Sequence, residues 1–318
     1  MRATTPDVSI VLATHDRPRR LDALLESLRA QTLAPDRYEV VVVDDGSPGE
    51  ATTAVLDAQL ARPGMQLRVI RRERSGGPSV ARNEGWRAAR APLVAFTDDD
   101  CVATPTWAEA GLRAHAEHPG AVLQGRVDMN PDELARYNPF SHTLEVHELG
   151  AGFETANVFY PRQTLERLGG FDEAAFRGPG GEDTDLAWRA IKAGAEPVFA
   201  ATAVVHHGVV PVGAIRRLRV AARWTESIRA VARHPEIREH LTARVFWRYN
   251  HWLLFRFLVA LALPRRLGPV RLMLAAPYVV ALTGRRTGPL LAPYLLALDL
   301  VEVMAVLRGA VRYRTLVL

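Results

Sequence analysis

Two short apolar segments of this chain each end abruptly in a run of acidic residues. Residues 38–43 contain four consecutive valines and stop at Asp44-Asp45-Gly46-Ser47, and Leu93–Thr97 stops at Asp98-Asp99-Asp100. A run that is apolar on both faces is typical of a strand buried inside a parallel sheet. Ligands of open α/β sheets bind beyond the carboxyl ends of the strands. The sequence therefore predicts a sheet with acidic side chains gathered at one edge.

The residues around these segments alternate between strand-like and helix-like patterns. Val8–Ala13 predicts a first strand, which ends at Thr14-His15-Asp16, and leucines spaced three and four apart predict a helix over Arg19–Ala30. The same reasoning predicts strands at 66–70, 122–127 and 156–160 and helices at 50–61, 79–90, 105–117, 162–168 and 182–193. Such alternation favours a doubly wound α/β sheet. Residues 128–152 are expected to form a loop-rich insertion.

Composition and missing motifs exclude several classes of protein. The 318 residues are 48% hydrophobic and 24% charged, which argues against a largely disordered chain. The single cysteine, Cys101, excludes a disulfide framework and makes a zinc site improbable. No glycine-rich phosphate loop follows the first strand, which weakens the dehydrogenase and P-loop NTPase hypotheses. No secretory signal is visible near the start, so a cytoplasmic location is expected.

The charge divides the chain into two regions. Residues 1–210 hold 22 Lys+Arg and 30 Asp+Glu, a net charge of −8, whereas residues 211–318 hold 18 Arg and 5 Asp+Glu, a net charge of +13. We therefore expect a catalytic domain over 1–210 and a basic, apolar, mostly helical region over 211–318. A basic region can bind nucleic acid, anionic lipid or an acidic partner, but no nucleic-acid-binding motif is recognisable.

Three apolar stretches lie in the basic region, at 252–263, 272–282 and 290–307. The first two are shorter than the roughly 20 residues needed to span a bilayer, and the third contains Asp299 and Glu302. Arginines flank or interrupt these stretches: Arg256, Arg265, Arg266, Arg271, Arg285 and Arg286. The pattern favours helices that lie in the membrane interface, and it leaves open a buried helical subdomain or a homodimer surface.

Four groups of polar residues could carry chemistry. The carboxylates of Asp98–Asp100 could bind Mg²⁺ or Mn²⁺, or form a solvated acidic turn. Glu182-Asp183 follow a Gly/Pro turn and could supply a general base or cap a helix. His206-His207 could complete a metal site or be structural. Arg82, in the glycine-rich segment 74–85, could pair with a phosphate, orient carboxylates or lie on the surface.

Taken together, six segments resemble glycosyltransferase family 2. They are VSIVLATHDRP at 8–18, VVVDDGS at 41–47, GPSVARNEG at 77–85, FTDDD at 96–100, GGFDE at 169–173 and GEDTDLAWR at 181–189. The resemblance covers about residues 7–210 in the order of the family. It implies a GT-A fold, which is Rossmann-like with a mainly parallel sheet, and the transfer of a sugar from a nucleotide sugar with inversion.

The resemblance also implies roles for single residues. Nucleotide-sugar contacts fall on Thr14, His15, Arg17, Asp44, Asp45, Arg82 and Asp98, with Asp45 favoured for the base. A Mn²⁺ or Mg²⁺ site falls on Asp98, Asp100 and His207, and the catalytic base on Asp183. Asn157, Glu182 and Trp188 are expected in the acceptor or sugar pocket. His15 departs from the tyrosine common at its position, so it would cover less of a stacked base.

The expected function is therefore glycosyl transfer from a nucleotide sugar, with UDP-sugars favoured by family frequency. The acceptor would be a hydroxyl of a cell-surface polysaccharide, glycolipid, lipid-linked glycan or other glycan, at the inner face of the membrane. A sugar nucleotidyltransferase is an alternative, but such enzymes usually carry a glycine-rich, lysine-containing loop that this chain lacks. A non-catalytic scaffold that uses the basic region is a third hypothesis.

Overall fold

A computed structural model describes residues 5–284 and 288–318. The chain divides into two compact units. The first runs to Tyr137 and resumes over His142–Pro211, and the second comprises Asn138–Ser141 and Val212–Leu318. Arg285 and Arg286, which the sequence places beside an apolar stretch, lie outside the described residues.

The first unit is built on a sheet of eight described strands. These are β1 Val8–Thr14, β2 Tyr38–Asp44, β3 Gln66–Arg71, β4 Leu93–Thr97, β5 Cys101–Ala103, β6 Val122–Met129, β7 Asn157–Pro161 and β8 Pro197–His207. Their order is β3-β2-β1-β4-β7-β6-β8-β5. The pairs β1–β2, β1–β4, β2–β3 and β6–β8 are parallel, and the pairs β4–β7, β6–β7 and β5–β8 are antiparallel. The sheet is therefore more mixed than the sequence predicted, because β7 reverses the direction of the chain beside β4.

The register of the strands brings their polar ends to one edge. Thr14 of β1 pairs with Asp44 of β2, and Val11 of β1 pairs with Phe96 of β4, two residues before Asp98. Thr97 faces the first residue of β7, because that strand runs antiparallel. The residues that follow β1, β2 and β4 thus share the edge at which an α/β sheet binds ligands.

Helices cover the sheet of the first unit. They are α1 Pro18–Arg29, α2 Ala51–Leu60, α3 Pro78–Ala88, α4 Trp107–Glu117, α5 Arg162–Leu168 and α6 Glu182–Lys192, with a 3₁₀ turn at Pro131–Arg136. The four leucines of α1 are fully buried, as their spacing predicts. Proline stands at the first turn of α1 and α3, where its missing N–H leaves no helical bond unmade.

The second unit is helical, with 3₁₀ turns at Pro235–His240, Arg265–Leu267 and Pro289–Leu291. Its helices are α7 Ala214–Ala221, α8 Trp224–Arg233, α9 Tyr249–Ala262, α10 Gly268–Thr283 and α11 Ala292–Tyr313. The three apolar stretches correspond to α9, α10 and α11, whereas α7 and α8 were not predicted from the sequence.

Two buried acids, Asp299 and Glu302, lie on the otherwise apolar helix α11. The segment Pro289–Tyr313 is long and apolar enough to cross a membrane, a test that core helices of soluble proteins also pass. Asp299 accepts a 3.0 Å hydrogen bond from the Tyr278 hydroxyl, and Glu302 lies 3.5 Å from His251. Both acids are buried within this unit, so their partners on α9 and α10 fix the rotation of α11.

Candidate active site

The three aspartates after β4 turn in different directions and take different partners. Asp98 accepts a 2.8 Å hydrogen bond from Arg82. Asp99 accepts hydrogen bonds from the Thr14 hydroxyl at 2.8 Å and from Arg17 at 2.8 Å. Asp100 also pairs with Arg17, at 3.1 Å. The acidic run is therefore divided among three partners and is not a solvated turn.

Asp99 lies between the two aspartates expected to bind the cation, and the family resemblance implies no role of its own for it. It is buried, and burial followed by repulsion from Asp100 raises its pKa to about 6, although Arg17 and Thr14 oppose the shift. The Thr14 hydroxyl and one Arg17 nitrogen, both predicted to contact the nucleotide, are engaged with Asp99 in this structure. The side chain of Arg17 remains about half exposed, so it can still face a ligand.

Asp100 faces His207 at the end of β8. The imidazole Nε2 lies 3.5 Å from Asp100 Oδ1, and Nδ1 lies 2.9 Å from the Gly208 carbonyl oxygen. Because a carbonyl oxygen can only accept, Nδ1 must donate, and in the neutral ring the Nε2 lone pair then faces the carboxylate. Such a pair is favourable only with a proton or cation between the two atoms. A carboxylate and an imidazole nitrogen are donor types that Mn²⁺ accepts, so the Asp100–His207 pair is compatible with the predicted cation.

Arg82 of α3 is a buried cation that links two parts of the site. Its guanidinium donates to Asp98 at 2.8 Å and to Glu182 at 3.2 Å, and its side chain is 10% exposed. The attraction of the surrounding carboxylates raises its pKa despite burial, so the charge is permanent. Arg82 therefore ties the end of β4 to the start of α6, which corresponds to one of the alternatives derived from the sequence.

The start of α6 places two adjacent acids in different surroundings. Glu182 is buried, and its oxygens accept from Arg82 and from the Gly180 N–H at 2.6 Å. Asp183 Oδ1 accepts from the Thr184 N–H at 2.8 Å, whereas no donor among the described residues reaches Oδ2. Burial, then the charges of Glu182 and Glu154, raises the pKa of Asp183 well above its usual value. A carboxylate with a raised pKa and a free oxygen is a competent proton acceptor.

The acids after β2 hold local loops. Asp45 accepts from the Ser75 hydroxyl at 2.7 Å, from the backbone N–H groups of Gly76 and Gly77 at 2.9 Å each, and from Arg72 at 2.9 Å. Asp44 accepts from the Ser47 N–H at 3.0 Å, which closes a turn. Both oxygens of Asp45 already accept hydrogen bonds from residues 72–77. The predicted contact of Asp45 with a base therefore requires that some of these bonds break.

Two neighbouring residues of the predicted site have structural partners. The imidazole of His15 is exposed and lies 2.9 Å from the Asp45 carbonyl oxygen, so it remains available for stacking. Trp188 donates its indole N–H to the Ala151 carbonyl oxygen at 3.1 Å and thereby anchors the loop before β7.

The structure corrects the expected place of Asn157. Its side chain is fully buried between strands, donates to the carbonyl oxygens of Arg126 and Ala203 at 2.8 Å each, and accepts from Trp107 at 2.8 Å. A side chain with all these bonds inside the sheet does not line an acceptor or sugar pocket. Glu182 is also buried, with one oxygen bonded to Arg82 and the other to the Gly180 N–H, and its place in the acceptor or sugar pocket stays a prediction.

A family model described as "Glycosyl transferase family 2" matches residues 9–176, just over half of the chain. The chain belongs to glycosyltransferase family 2. The match spans the strand ends of β1, β2 and β4 and helix α3, and it stops before the Glu182-Asp183 pair. The family inferred from the six sequence segments is thus confirmed.

Relatives named as glycosyltransferases resemble this chain over part of their length. Validoxylamine A glucosyltransferase of Streptomyces hygroscopicus subsp. limoneus is 33% identical over 219 residues, which cover 58% of this chain and 48% of the relative. Pre-mycofactocin glycosyltransferase of Mycobacterium tuberculosis is 29% identical over 215 residues, covering 63% and 42%. The chain spans about half the length of the curated relatives it matches.

Two solved structures share the fold of this chain. The mannosyltransferase PcManGT of Pyrobaculum calidifontis, in complex with GDP-Man and Mn²⁺, superposes with a TM-score of 0.60 at 20% identity, covering 98% of this chain and 88% of that one. TarS of S. aureus, residues 1–349 with UDP, gives 0.56 at 18% identity, covering 97% and 92%. The expected GT-A fold with a helical C-terminal extension is confirmed.

The family 2 domain of this chain does not present a closed metal cage. Over residues 5–284 and 288–318, no three His, Cys, Asp or Glu side chains converge as metal ligands would. Asp100 and His207 face each other at 3.5 Å, and Asp98 follows the same strand two residues earlier. An open site of this kind suits a cation that a diphosphate also coordinates, as Mg²⁺ and Mn²⁺ sites commonly do.

Proposed function

We propose that this chain transfers a sugar from a nucleoside diphosphate sugar to an acceptor hydroxyl with inversion at the anomeric carbon. The observation that supports the proposal is the link from Asp98 through Arg82 to Glu182, with separations of 2.8 and 3.2 Å. This link joins the end of β4, which carries the aspartates, to the start of α6, which carries Asp183. A donor diphosphate held on one side would then face a base on the other.

In the proposed reaction Asp183 acts as the general base. The acceptor oxygen gives its proton to Asp183 and forms a bond to the anomeric carbon, while the bond from that carbon to the diphosphate oxygen breaks. The electron pair of the broken bond leaves with the nucleoside diphosphate. A direct displacement inverts the carbon and needs one carboxylate, and its transition state resembles an oxocarbenium ion.

Charge on the leaving diphosphate must be stabilised where it develops. Asp98, Asp100 and His207 would hold a divalent cation, Mn²⁺ or Mg²⁺, which when bound neutralises that charge. The side chain of Arg17 pairs with Asp99 and Asp100 and is about half exposed. Its guanidinium can therefore also orient a phosphate oxygen of the donor. His207→Gln should raise the Mn²⁺ concentration needed for half-maximal activity at least about tenfold. An unchanged requirement would remove His207 from the proposed site.

The donor and the acceptor are proposed at the level of chemical class. Solved neighbours carry GDP-Man or UDP, and a relative is named for glucosyl transfer to validoxylamine A. We propose a UDP-sugar as the first donor to test and GDP-Man as the second. The acceptor would be a hydroxyl of a glycan, a polysaccharide or glycolipid of the cell surface, or a lipid-linked sugar.

The test uses Asp183→Asn in the full chain. Thermal unfolding with UDP-sugars and GDP-Man, with and without Mn²⁺, first identifies the donor that stabilises the protein. The variant should then lose transfer, by about a thousandfold or more, and keep its donor-induced stabilisation, since removing a general base leaves the donor site intact. Asp132→Asn, on an exposed acid of the 3₁₀ turn, is the matched control and should keep its activity. Full turnover by Asp183→Asn would refute the assigned base.

We also propose that the helical unit contacts the inner face of an anionic membrane. It combines the net charge of +13 with exposed apolar side chains on α9 and α10, among them Leu261, Leu272 and Met273. Helix α10 has 16 residues and so is about 24 Å long, shorter than the hydrocarbon core, which favours lying in the interface.

Vesicle flotation tests this contact. The full chain should float with vesicles containing anionic lipid and less with zwitterionic ones, and Leu272→Glu should weaken flotation. Leu60→Glu, at an exposed leucine of α2, is the control. Equal flotation with both lipids, or no flotation with either, would refute the proposed membrane contact. If the full chain instead has the mass of a dimer and Leu272→Glu has the mass of a monomer, the surface binds a second copy of the chain.

A further inference from the structure

The loop before β7 is fastened to the helix that carries the proposed base. The Thr184 hydroxyl donates to the Gly152 carbonyl oxygen at 3.0 Å, and the Trp188 indole donates to the Ala151 carbonyl oxygen at 3.1 Å. Thr184 and Trp188 are four residues apart and therefore lie on the same face of α6. Residues 151–154 are thus held beside the start of α6.

The carboxyl of Glu154 is packed against this fastened loop. A Cβ atom at Gly152 would collide with Glu154 Oε1, so glycine at position 152 leaves the space that the carboxyl occupies. The charge of Glu154 acts on Asp183 next in strength after that of Glu182. The two loop bonds therefore hold Glu154 near the start of α6, which carries the base, and its carboxyl fills the space beside Gly152.

Glu154 differs from the other acids around the crevice in its partners. Asp98, Asp99 and Glu182 each accept a hydrogen bond from an arginine. Within the described part of the chain, the only donor that reaches the Glu154 carboxyl is its own backbone N–H. Burial raises the pKa of Glu154, which means that the fold stabilises its charged form poorly. A carboxyl kept in such a place without a protein partner is suited to a hydrogen bond from a ligand.

We propose that Glu154 is a specificity-determining residue that binds a second hydroxyl of a polyhydroxylated acceptor, beside the hydroxyl that Asp183 deprotonates. This inference rests on the proposed function. In the transfer step the proton passes to Asp183 alone, and Glu154 exchanges no atom or electron with the substrate. Its role is to place the reacting hydroxyl, so an alcohol with one hydroxyl should be a poor acceptor.

The test compares acceptors in the full chain with the donor identified by thermal unfolding. Nucleoside diphosphate release is measured with two polyols, myo-inositol and methyl α-glucoside, and with methanol as the single-hydroxyl probe. Wild type should prefer a polyol to methanol, and Glu154→Gln should reduce this preference about 10- to 100-fold, mainly by raising the KM of the polyol. Glu148→Gln, on an exposed acid of the preceding insertion 128–152, is the matched control and should keep the preference.

A pH profile gives a readout that a merely structural role would not move. Glu154 and Glu182 raise the pKa of Asp183, and Arg82 lowers it. Replacing Glu154 with glutamine removes one raising charge, so the acid limb of the rate profile should shift to lower pH. Gly152→Ala, which forces the carboxyl to move without removing it, should lose the polyol preference as well.

The outcomes separate this inference from the proposed function. No turnover of any nucleotide sugar by the wild-type chain would overturn both. Turnover in which Glu154→Gln keeps the polyol preference and the acid limb of wild type would overturn the inference alone. If Glu154→Gln unfolds, the preference for a polyol over methanol is measured in Gly152→Ala and Glu154→Asp instead. An unchanged preference in both variants would overturn the inference.

Discussion

Removing the buried cation Arg82 should destabilise the first unit more than any other single charge deletion on α3. Arg82→Met keeps most of the apolar stem and deletes a guanidinium that lies 2.8 Å from Asp98 and 3.2 Å from Glu182. Removing one partner of a buried ion pair costs about 3–5 kcal/mol, because the remaining charges stay uncompensated. For a domain of about 200 residues this corresponds to a fall in Tm of about 10 °C.

Arg87, five residues further along α3, supplies the matched control. Its side chain is 51% exposed and lies 3.4 Å from Glu173, so deleting this surface pair should cost at most about 1 kcal/mol. Thermal unfolding of Arg82→Met and Arg87→Met, both with a chelator to remove cations, measures the contrast. Because protonation neutralises a stranded carboxylate, the deficit of Arg82→Met should be smaller at pH 5 than at pH 8. Equal Tm values for the two variants would refute the assignment of Arg82 as the link between β4 and α6.

Three further predictions follow from the contacts of single residues. Asn157→Ala should cost about 3 kcal/mol or more, since it strands three buried hydrogen-bonding partners, and an acceptor KM raised in a folded variant would contradict its structural role. Asp45→Asn should speed tryptic cleavage within residues 72–77, whose donors it anchors, and unchanged cleavage would place the anchor elsewhere. The pKa of Asp99 is raised to about 6 from 3.8, so the folded protein holds this proton more tightly and stability should fall as pH rises from about 4 to about 6. Asp99→Asn should flatten that decline in Tm scans, whereas Asp36→Asn, at an exposed acid, should not.

The sequence was sufficient to predict most elements of the first unit. Leu93–Thr97 and Arg162–Leu168 were predicted with the bounds that the structure has. Both are set off by strong signals, namely an apolar run that stops at three aspartates and a helix that stops at Gly169-Gly170. The sequence also predicted that the polar strand ends lie close together, because the carboxyl ends of parallel strands share one edge of the sheet.

The partners of the site residues could not be predicted in the same way. The sequence does not distinguish three consecutive aspartates from one another. In the structure they bind different partners, and of the three only Asp99 accepts from the Thr14 hydroxyl. Asn157 was expected in a pocket from the family resemblance, and its buried position depends on carbonyl oxygens of Arg126 and Ala203 that only the assembled sheet brings near. Helices α7 and α8 are short, arginine-rich and without a side-chain cap, so they lack the usual signals of a helix start.

The pattern of partners sorts the acids of the crevice by what they can do. Asp45, Asp98, Asp99 and Glu182 each accept from an arginine, which offsets the cost of burying a charge and fixes their positions. Asp183 and Glu154 have no such partner within the ranges described, and both have raised pKa values. Because partial burial without a cationic partner costs stability, these two carboxyls are expected to weaken the fold while no substrate is bound. A loss of stability of this kind is expected at a site where a ligand supplies the missing partner. It falls on Asp183 and Glu154, which are the two residues that the proposed chemistry requires.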